Sequence, residues 1–530
     1  MSAPSLASLC VPATFGTPSL FGIANVTVAA SIASINATLN TWTFSRPTRH
    51  VSTTFCNVTV SYTHPGQNDW ISVEAWLPSP SAWNDVLVAT GGGGLGMGRN
   101  SASYGLFMST SIDDGYAAVT TDAGHPGDLA MLGGWALLSN GNADQISLHN
   151  AAARSLEEQG LLGKQIVEAM YGRKAAHSYF SSCSQGGRQA LMVSQRYPDL
   201  YDGIVAAAPA MSLDVVASIL WPQQYMVNQG HVPHECEMHA VTVAAVAFCD
   251  ALDGVEDGVV ADPALCLERF DPFSVVGRMV NCSDAVGGKI AVSAGAAAVV
   301  NATWHGPRYA ASGKQVWPGF RPGADITGSG SRENVNDTVA NTVCNGNGTC
   351  VGRPWPIAAT GFRTMLARDL SLDLAKMTNA QFEKLTRYGH QELRSFAATD
   401  PDLTEFQRAG GKMLSYHGMA DNIIPPEGTS QYYQQVTAVS PDVHSFYRLF
   451  EIPGLGHCFS GSSGPPAALF SQLRAWVENG TAPGSTGHEL LNQVTGNIDN
   501  RLACPFPHKP RFDVGCGDVG REACWSCPEL

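Results

Sequence analysis

The feature that most limits how this chain can fold is a set of short apolar runs that empty into glycine-rich turns. Val86-Leu-Val-Ala89 leads through Thr90 into Gly91-Gly-Gly-Gly94, and Ala117-Ala-Val-Thr120 is followed by Asp122-Ala-Gly-His125. Such runs suit parallel strands buried on both faces, with functional loops at their carboxyl ends. Helical segments such as Ala151 to Met170 separate them. This alternation predicts a doubly wound, mostly parallel α/β sheet. From Cys56 to Pro78, Val58, Val60 and Tyr62 alternate with polar residues and Ile71 to Trp76 repeat the pattern, which predicts a hairpin.

At 530 residues the chain is longer than the roughly 250 to 300 residues that one hydrophobic core sustains, so a second unit is expected. The character changes between about Met211 and Asp402, where Gly, Asn and Ser are frequent and six cysteines occur. Strand patterns resume at Gly411 to Tyr416 and Tyr447 to Ile452, and Ala467 to Glu478 reads as a helix. The expected organisation is a discontinuous core, residues 1–210 and 403–530, with residues 211–402 inserted as a lid.

The formal net charge is −14 and the cations form no basic stripe, so nucleic acid is not expected as a partner. No apolar run approaches the about 18 to 20 residues of a membrane helix. Fourteen cysteines, spread from Cys10 to Cys527, fit an oxidising compartment and predict a secreted, extracellular protein. Asn-x-Ser/Thr acceptors at Asn25, Asn36, Asn57, Asn281, Asn301, Asn336, Asn347 and Asn479 fit a glycosylated surface. No charged segment with an apolar stretch behind it precedes Ser5, and the first Arg is Arg46, so no signal peptide is expected here and Met1 is expected to begin a trimmed chain.

Ser181-Ser-Cys-Ser-Gln-Gly-Gly187 lies between the strand-like Ser178-Tyr-Phe180 and the helical Arg188 to Tyr197. A strand, sharp turn and helix with small residues beside the serine is the setting of an exposed nucleophile, although Ser182 stands where the usual first glycine of such a turn would be. An ordinary Ser/Gly turn is the competing reading. A serine nucleophile needs a base and an orienting carboxylate, in chain order serine, acid, histidine on this kind of sheet. Asp421, in Tyr416-His-Gly-Met-Ala-Asp421, and His457, in Pro453-Gly-Leu-Gly-His457-Cys458, satisfy that order, each just after a strand. His417 and His125 compete with His457, whose place after the last strand favours it. Cys183 and Cys458 adjoin Ser184 and His457, so a working triad brings the two sulfurs together and predicts a disulfide; the alternative is a catalytic Cys183. The Gln185 amide is the expected first oxyanion donor, with the second from Gly92, Gly93 or Gly94. A phosphate-binding role for the glycine run lacks the Lys-Ser/Thr that such loops carry.

Cys249-Asp-Ala-Leu-Asp-Gly-Val-Glu-Asp-Gly-Val-Val260 packs Asp250, Asp253, Glu256 and Asp257 into one turn-rich loop. Asp250, Asp253 and Asp257 with the carbonyls of Val255 and Val259 form an oxygen-only set suited to a structural calcium ion, the alternative being a solvated acidic loop. The loop is not an EF-hand, since Leu265 stands near Cys266 where a closing glutamate is needed.

Taken together, Cys183-Ser184-x-Gly186-Gly187, the Asp421 segment, His457-Cys458 and the loop from Asp250 to Val259 resemble the tannase and feruloyl esterase family. The resemblance implies an α/β-hydrolase core with a calcium-binding lid and cleavage of esters of phenolic acids. It implies catalytic roles for Ser184, Asp421 and His457, calcium ligation by Asp250, Asp253, Val255, Asp257 and Val259, and bridges Cys183 to Cys458, Cys10 to Cys56 and Cys249 to Cys266. Cys56-Asn-Val-Thr-Val-Ser-Tyr-Thr-His64 and a pair Cys236 with Cys282 look more like the tannase branch. The pairing of Cys344, Cys350, Cys504, Cys516, Cys524 and Cys527 stays open, as does the choice of gallate, ferulate or another acyl group. Trp221 and Tyr225 are expected to wall the acyl pocket. The rival reading is a non-catalytic, calcium-dependent binding protein on the same scaffold.

Overall fold

A computed structural model describes residues 5–40, 43–45, 48–125, 127, 134–329, 338–345 and 347–528; the Asn336 acceptor lies outside the described residues. Nine strands form one sheet: β1 (Ala24–Asn40), β2 (Thr48–Thr63), β3 (Ile71–Leu77), β4 (Val86–Ala89), β5 (Ala117–Thr121), β6 (His177–Cys183), β7 (Gly203–Ala207), β8 (Lys412–Gly418) and β9 (Tyr447–Ile452). Their spatial order is β1-β2-β3-β5-β4-β6-β7-β8-β9. From β5 to β9 every pairing is parallel, while β1, β2 and β3 extend that sheet antiparallel.

The apolar runs behave as their composition requires. Every residue of β3, β4, β5 and β7 is buried, because helices such as Ser155–Tyr171 and Leu469–Asn479 cover the sheet. The sequence hairpin is the β2–β3 pair, with Val58 opposite Ala75 and Val60 opposite Val73. β1 was not legible in the same way. Its Ala, Ser, Asn and Thr residues alternate between half-buried and exposed along an outer strand, so its pattern carries little apolar contrast.

Between β7 and β8 the described residues add no strand to the sheet. They build helices Asp214–Gln229, Glu235–Cys249, Ala294–His305 and Asn379–Glu392 and two short hairpins. Most buried apolar side chains of this insertion, among them Val216, Val300, Phe362 and Phe382, join one cluster with Val58, Leu87 and Phe180 of the sheet, while Cys249, Val260 and Cys266 form a small cluster of their own. Arg321 of the insertion, one tenth exposed, reaches Glu427 and Glu451 of the core at 2.8 Å each. A guanidinium buried between two carboxylates fixes orientation as well as attraction, because each bond is directional.

All fourteen cysteines are paired. Cys10–Cys56, Cys183–Cys458, Cys236–Cys282 and Cys249–Cys266 form as expected. The six left open pair as Cys344–Cys350, Cys504–Cys527 and Cys516–Cys524. The last two staple the tail beyond the hairpin Thr486–Leu491 and Ile498–Ala503. No described helix is long and apolar enough to cross a membrane.

Candidate active site

Strand β6 ends at Cys183 and the helix Gln185–Arg196 begins two residues later, so Ser184 alone makes the turn. Its φ of 63° and ψ of −122° lie outside the regions open to most L-residues, a local strain that the surrounding structure must hold. Close packing explains the glycines that follow. A Cβ on Gly186 would sit 1.9 Å from Ser182 Oγ, and one on Gly187 would sit 2.2 Å from the Ala207 carbonyl oxygen.

Three loops at the carboxyl ends of β6, β8 and β9 meet here. Ser184 Oγ lies 2.9 Å from His457 Nε2, and His457 Nδ1 lies 2.8 Å from Asp421 Oδ2. Asp421 is fully buried, and its other oxygen accepts the Ile423 and Ile424 amides at 2.8 Å each. Burial pushes the Asp421 carboxyl up, but the charge of His457 and the hydrogen bonds from His417 and His457 outweigh it and hold the group well below the usual carboxylate range. The Cys183–Cys458 disulfide ties the serine loop to the histidine loop across 275 residues of sequence.

His417, a competitor for the base, bonds the same Asp421 oxygen as His457. Its Nε2 is 3.0 Å from Asp421 Oδ2 and its Nδ1 is 2.8 Å from Thr429 Oγ1, with the ring almost wholly buried. If the Thr429 hydroxyl donates to Nδ1, the Nε2–H points at Asp421, a tautomer assigned from the network. His417 therefore orients the carboxylate rather than meeting a substrate. Replacing it with Leu is expected to lower kcat by about ten- to a hundredfold with KM little changed, since one hydrogen bond to a charged group is lost. His417→Gln, which keeps a donor, should recover most of that loss in steady-state kinetics. The other competitor, His125, stacks on Trp135 and bonds the Ser147 carbonyl at 3.2 Å, and burial lowers its basicity.

The glycine run lies beside the serine. The Gly92 amide is committed to Gln189 Oε1 at 2.9 Å and the Gly92 carbonyl accepts the Gly186 amide at 3.0 Å. Of the three glycines considered for the second donor, Gly93 and Gly94 remain as candidates beside Gln185. Gly94, Ser184 and Gln185 line one narrow pocket. Sequence reading passed over the residue that anchors this loop. Arg99 Nε bonds Glu74 Oε2 at 2.9 Å and Nη1 bonds Asp122 Oδ2 at 2.8 Å. A lone cation after a glycine run gives no local signal, because its partners come from β3 and from the loop after β5.

Apart from Ser212, the rest of that pocket is apolar and comes mainly from the insertion: Val215, Val216 and Ile219 of the helix Asp214–Gln229, with Trp355, Ile357 and Phe396. Trp221 and Tyr225 do not line it. They lie on the same helix but face its opposite side, about 200° around from Ile219 in the case of Trp221. Trp221 packs on Phe382 and donates to the Ala302 carbonyl at 3.1 Å.

The acidic loop folds inward on itself. Asp250 Oδ1 accepts the amides of Asp257, Gly258 and Val259 at 3.0, 2.9 and 3.3 Å. The Asp257 carboxyl is pushed up to about 7, first by burial and then by Asp253 and Asp250, with Arg501 at 3.0 Å opposing them. Asp253 is also raised, first by burial. Asp250 and Asp257 are buried beside the more exposed Asp253, and carboxylates gathered in an oxygen-only set fit a hard divalent cation.

A strained serine on a strand-to-helix turn, with acid and histidine following at later strand ends of a mostly parallel sheet, defines an α/β-hydrolase. The family model described as tannase and feruloyl esterase matches residues 56–524, and the chain belongs to that family of carboxylic ester hydrolases. A probable feruloyl esterase from Arthroderma benhamiae is 34% identical over 469 residues, covering 87% of this chain and 83% of that protein. The solved tannin acyl hydrolase from Aspergillus niger superposes with a TM-score of 0.83 at 26% identity, covering 100% of this chain and 97% of that one. Feruloyl esterase B from Aspergillus oryzae gives a TM-score of 0.75 at 25% identity, covering 96% and 98%.

Proposed function

We propose that this chain is a secreted serine esterase that cleaves esters of aromatic acids through an acyl-enzyme, with Ser184 as nucleophile, His457 as base and Asp421 as its partner. The reading rests on the unbroken row from Ser184 Oγ through the imidazole to Asp421, at 2.9 and 2.8 Å. His457 Nε2 accepts the Ser184 proton as Oγ attacks the ester carbonyl carbon, and the imidazolium is stabilised by ionised Asp421. The Gln185 amide, with that of Gly93 or Gly94, donates to the oxyanion. Collapse breaks the ester C–O bond, and His457 returns the proton to the departing alcohol. Water, deprotonated by His457, then attacks the acyl-serine and releases the acid. The names of the similar proteins, tannin acyl hydrolase and feruloyl esterase, favour aromatic acyl groups. Seven disulfides favour an oxidising, extracellular setting.

Mixing the protein with a nitrophenyl ester of an aromatic acid in a stopped-flow instrument tests the scheme. A burst of nitrophenol equal to the enzyme concentration is expected where deacylation is slow. Failure to turn over any aromatic ester would favour the binding-protein reading.

Asp250, Asp253 and Asp257, with the carbonyls of Val255 and Val259, would hold a structural calcium ion, which supplies positive charge to a loop whose carboxylates otherwise repel. Chelation is expected to lower the melting temperature. At free calcium about a hundredfold above Kd, the loss corresponds to about 2.7 kcal/mol. An unchanged melting curve with a tight chelator would remove calcium from the account.

A further inference from the structure

We infer that Gln189 is the positioning residue of the oxyanion site: its carboxamide grips both ends of the glycine loop and so fixes that loop's donor, the Gly93 or Gly94 amide, relative to the Gln185 amide. The inference rests on the esterase reading and adds to it the group that holds the second donor in place.

A run such as Gly91 to Gly94 has no side chains with which to hold itself, and glycine has the widest choice of backbone conformation. An oxyanion donor acts fully only if it is aimed before the charge develops. The shape of the run must therefore be imposed from outside it. Arg99 secures the chain after the loop, through Glu74 and Asp122, but the candidate donors lie upstream, between Gly92 and Met97. At the entry to that stretch Gln189 Oε1 accepts the Gly92 amide at 2.9 Å, and at the exit Gln189 Nε2 donates to the Met97 carbonyl at 2.9 Å. Between these two points the Gly96 amide donates to the Gly93 carbonyl at 2.9 Å and closes the turn.

The residue type follows from its partners. One end of the loop offers a donor and the other an acceptor, and a carboxamide is the planar group that answers both at once. Gln189 is fully buried, and it approaches so closely that a Cβ on Gly91 would sit 2.1 Å from its Oε1. It also stands one turn beyond Gln185 on the helix Gln185–Arg196. That helix carries the first donor in its own backbone and holds the second through Gln189, with the bond from the Gly186 amide to the Gly92 carbonyl at 3.0 Å as a further tie.

Gln189→Leu removes both bonds at similar volume. Its kcat per folded molecule is expected to fall about 10²- to 10³-fold, the scale of one lost oxyanion donor, with KM for a nitrophenyl ester little changed. Affinity for an arylboronic acid, whose adduct with Ser184 is a tetrahedral anion like the transition state, should weaken in step, while affinity for the free carboxylic acid product should hold. Gln189→Glu matches the shape, and its carboxyl, once protonated, can both accept and donate. Its kcat should approach that of wild type at the acid end of the pH profile, where Gln189→Leu stays low. Wild-type kcat per folded molecule in Gln189→Leu, unchanged boronic acid affinity in that variant, or Gln189→Glu no better than Gln189→Leu at every pH would overturn the inference and leave the esterase reading intact. A wild type that hydrolyses no ester would remove both.

Discussion

Ser184→Ala is expected to abolish the covalent route, lowering kcat by about 10⁵- to 10⁶-fold, the scale on which triad serines act, with a residual enhancement of about 10³ to 10⁴ over water from the oxyanion donors and binding alone. The size of the effect follows from the geometry. With Oγ gone, the His457 imidazole has no nucleophile to activate, and only the amides of Gln185 and of Gly93 or Gly94 still act on the carbonyl. KM should change little, because a methyl group in place of a hydroxymethyl group leaves the apolar walls as they are. Strain at the turn does not depend on the hydroxyl, since the φ of 63° at Ser184 belongs to the backbone. The variant should thus melt within about 0.5 kcal/mol of wild type, as substitutions that empty no core and strand no buried charge do. Steady-state hydrolysis of a nitrophenyl ester beside a denaturant titration checks both parts.

The second large effect concerns the bridge next to the triad. Cys183 and Cys458 are separated by 275 residues, and closing so long a loop restricts the unfolded chain by roughly 5 to 6 kcal/mol in the chain-entropy model, an upper bound for what is measured. Changing both cysteines to Ser is expected to cost several kcal/mol in guanidinium unfolding. It should also cost activity in the molecules that remain folded. Cys458 sits at a φ of 59°, an uncommon conformation for a side-chain-bearing residue, and His457 precedes it directly. Releasing the bond frees that turn to relax, and the distance of 2.9 Å between His457 Nε2 and Ser184 Oγ has little tolerance. A fall in kcat larger than the folded fraction accounts for is the mark of this second role. If kcat per folded molecule is unchanged, the bridge serves stability alone.

Much of the site was legible because its signals are local. The run Gly91 to Gly94 after an apolar strand, the glycines after Ser184 and the order of Ser184, Asp421 and His457 each follow from requirements that a few consecutive residues meet. The cysteines beside Ser184 and His457 turned two local signals into one statement about distance, and the bond forms. What was missed depends on partners distant in sequence. His417 is next to a glycine in a strand and becomes the support of Asp421 only through Thr429 on the following helix. Arg99 gains meaning from Glu74 and Asp122. Trp221 and Tyr225 were chosen for being aromatic near the start of the insertion, whereas helical phase decides which residues face the pocket, and it selects Val215, Val216 and Ile219. β1 escaped notice because an outer strand with both faces partly wet has no need of apolar alternation. The pairing among Cys344, Cys350, Cys504, Cys516, Cys524 and Cys527 is a matter of proximity in space, which spacing along the chain does not encode.

The central claim is that a single hydroxyl attacks the ester. Treating the protein with an aryl phosphonate ester, which traps activated serines covalently, and sequencing the labelled peptide by mass spectrometry tests it directly. The account predicts one adduct per chain, on Ser184, formed together with loss of esterase activity and slowed at least a thousandfold in His457→Ala. Inactivation with the label on any other residue, or full activity after Ser184 is labelled, would contradict it.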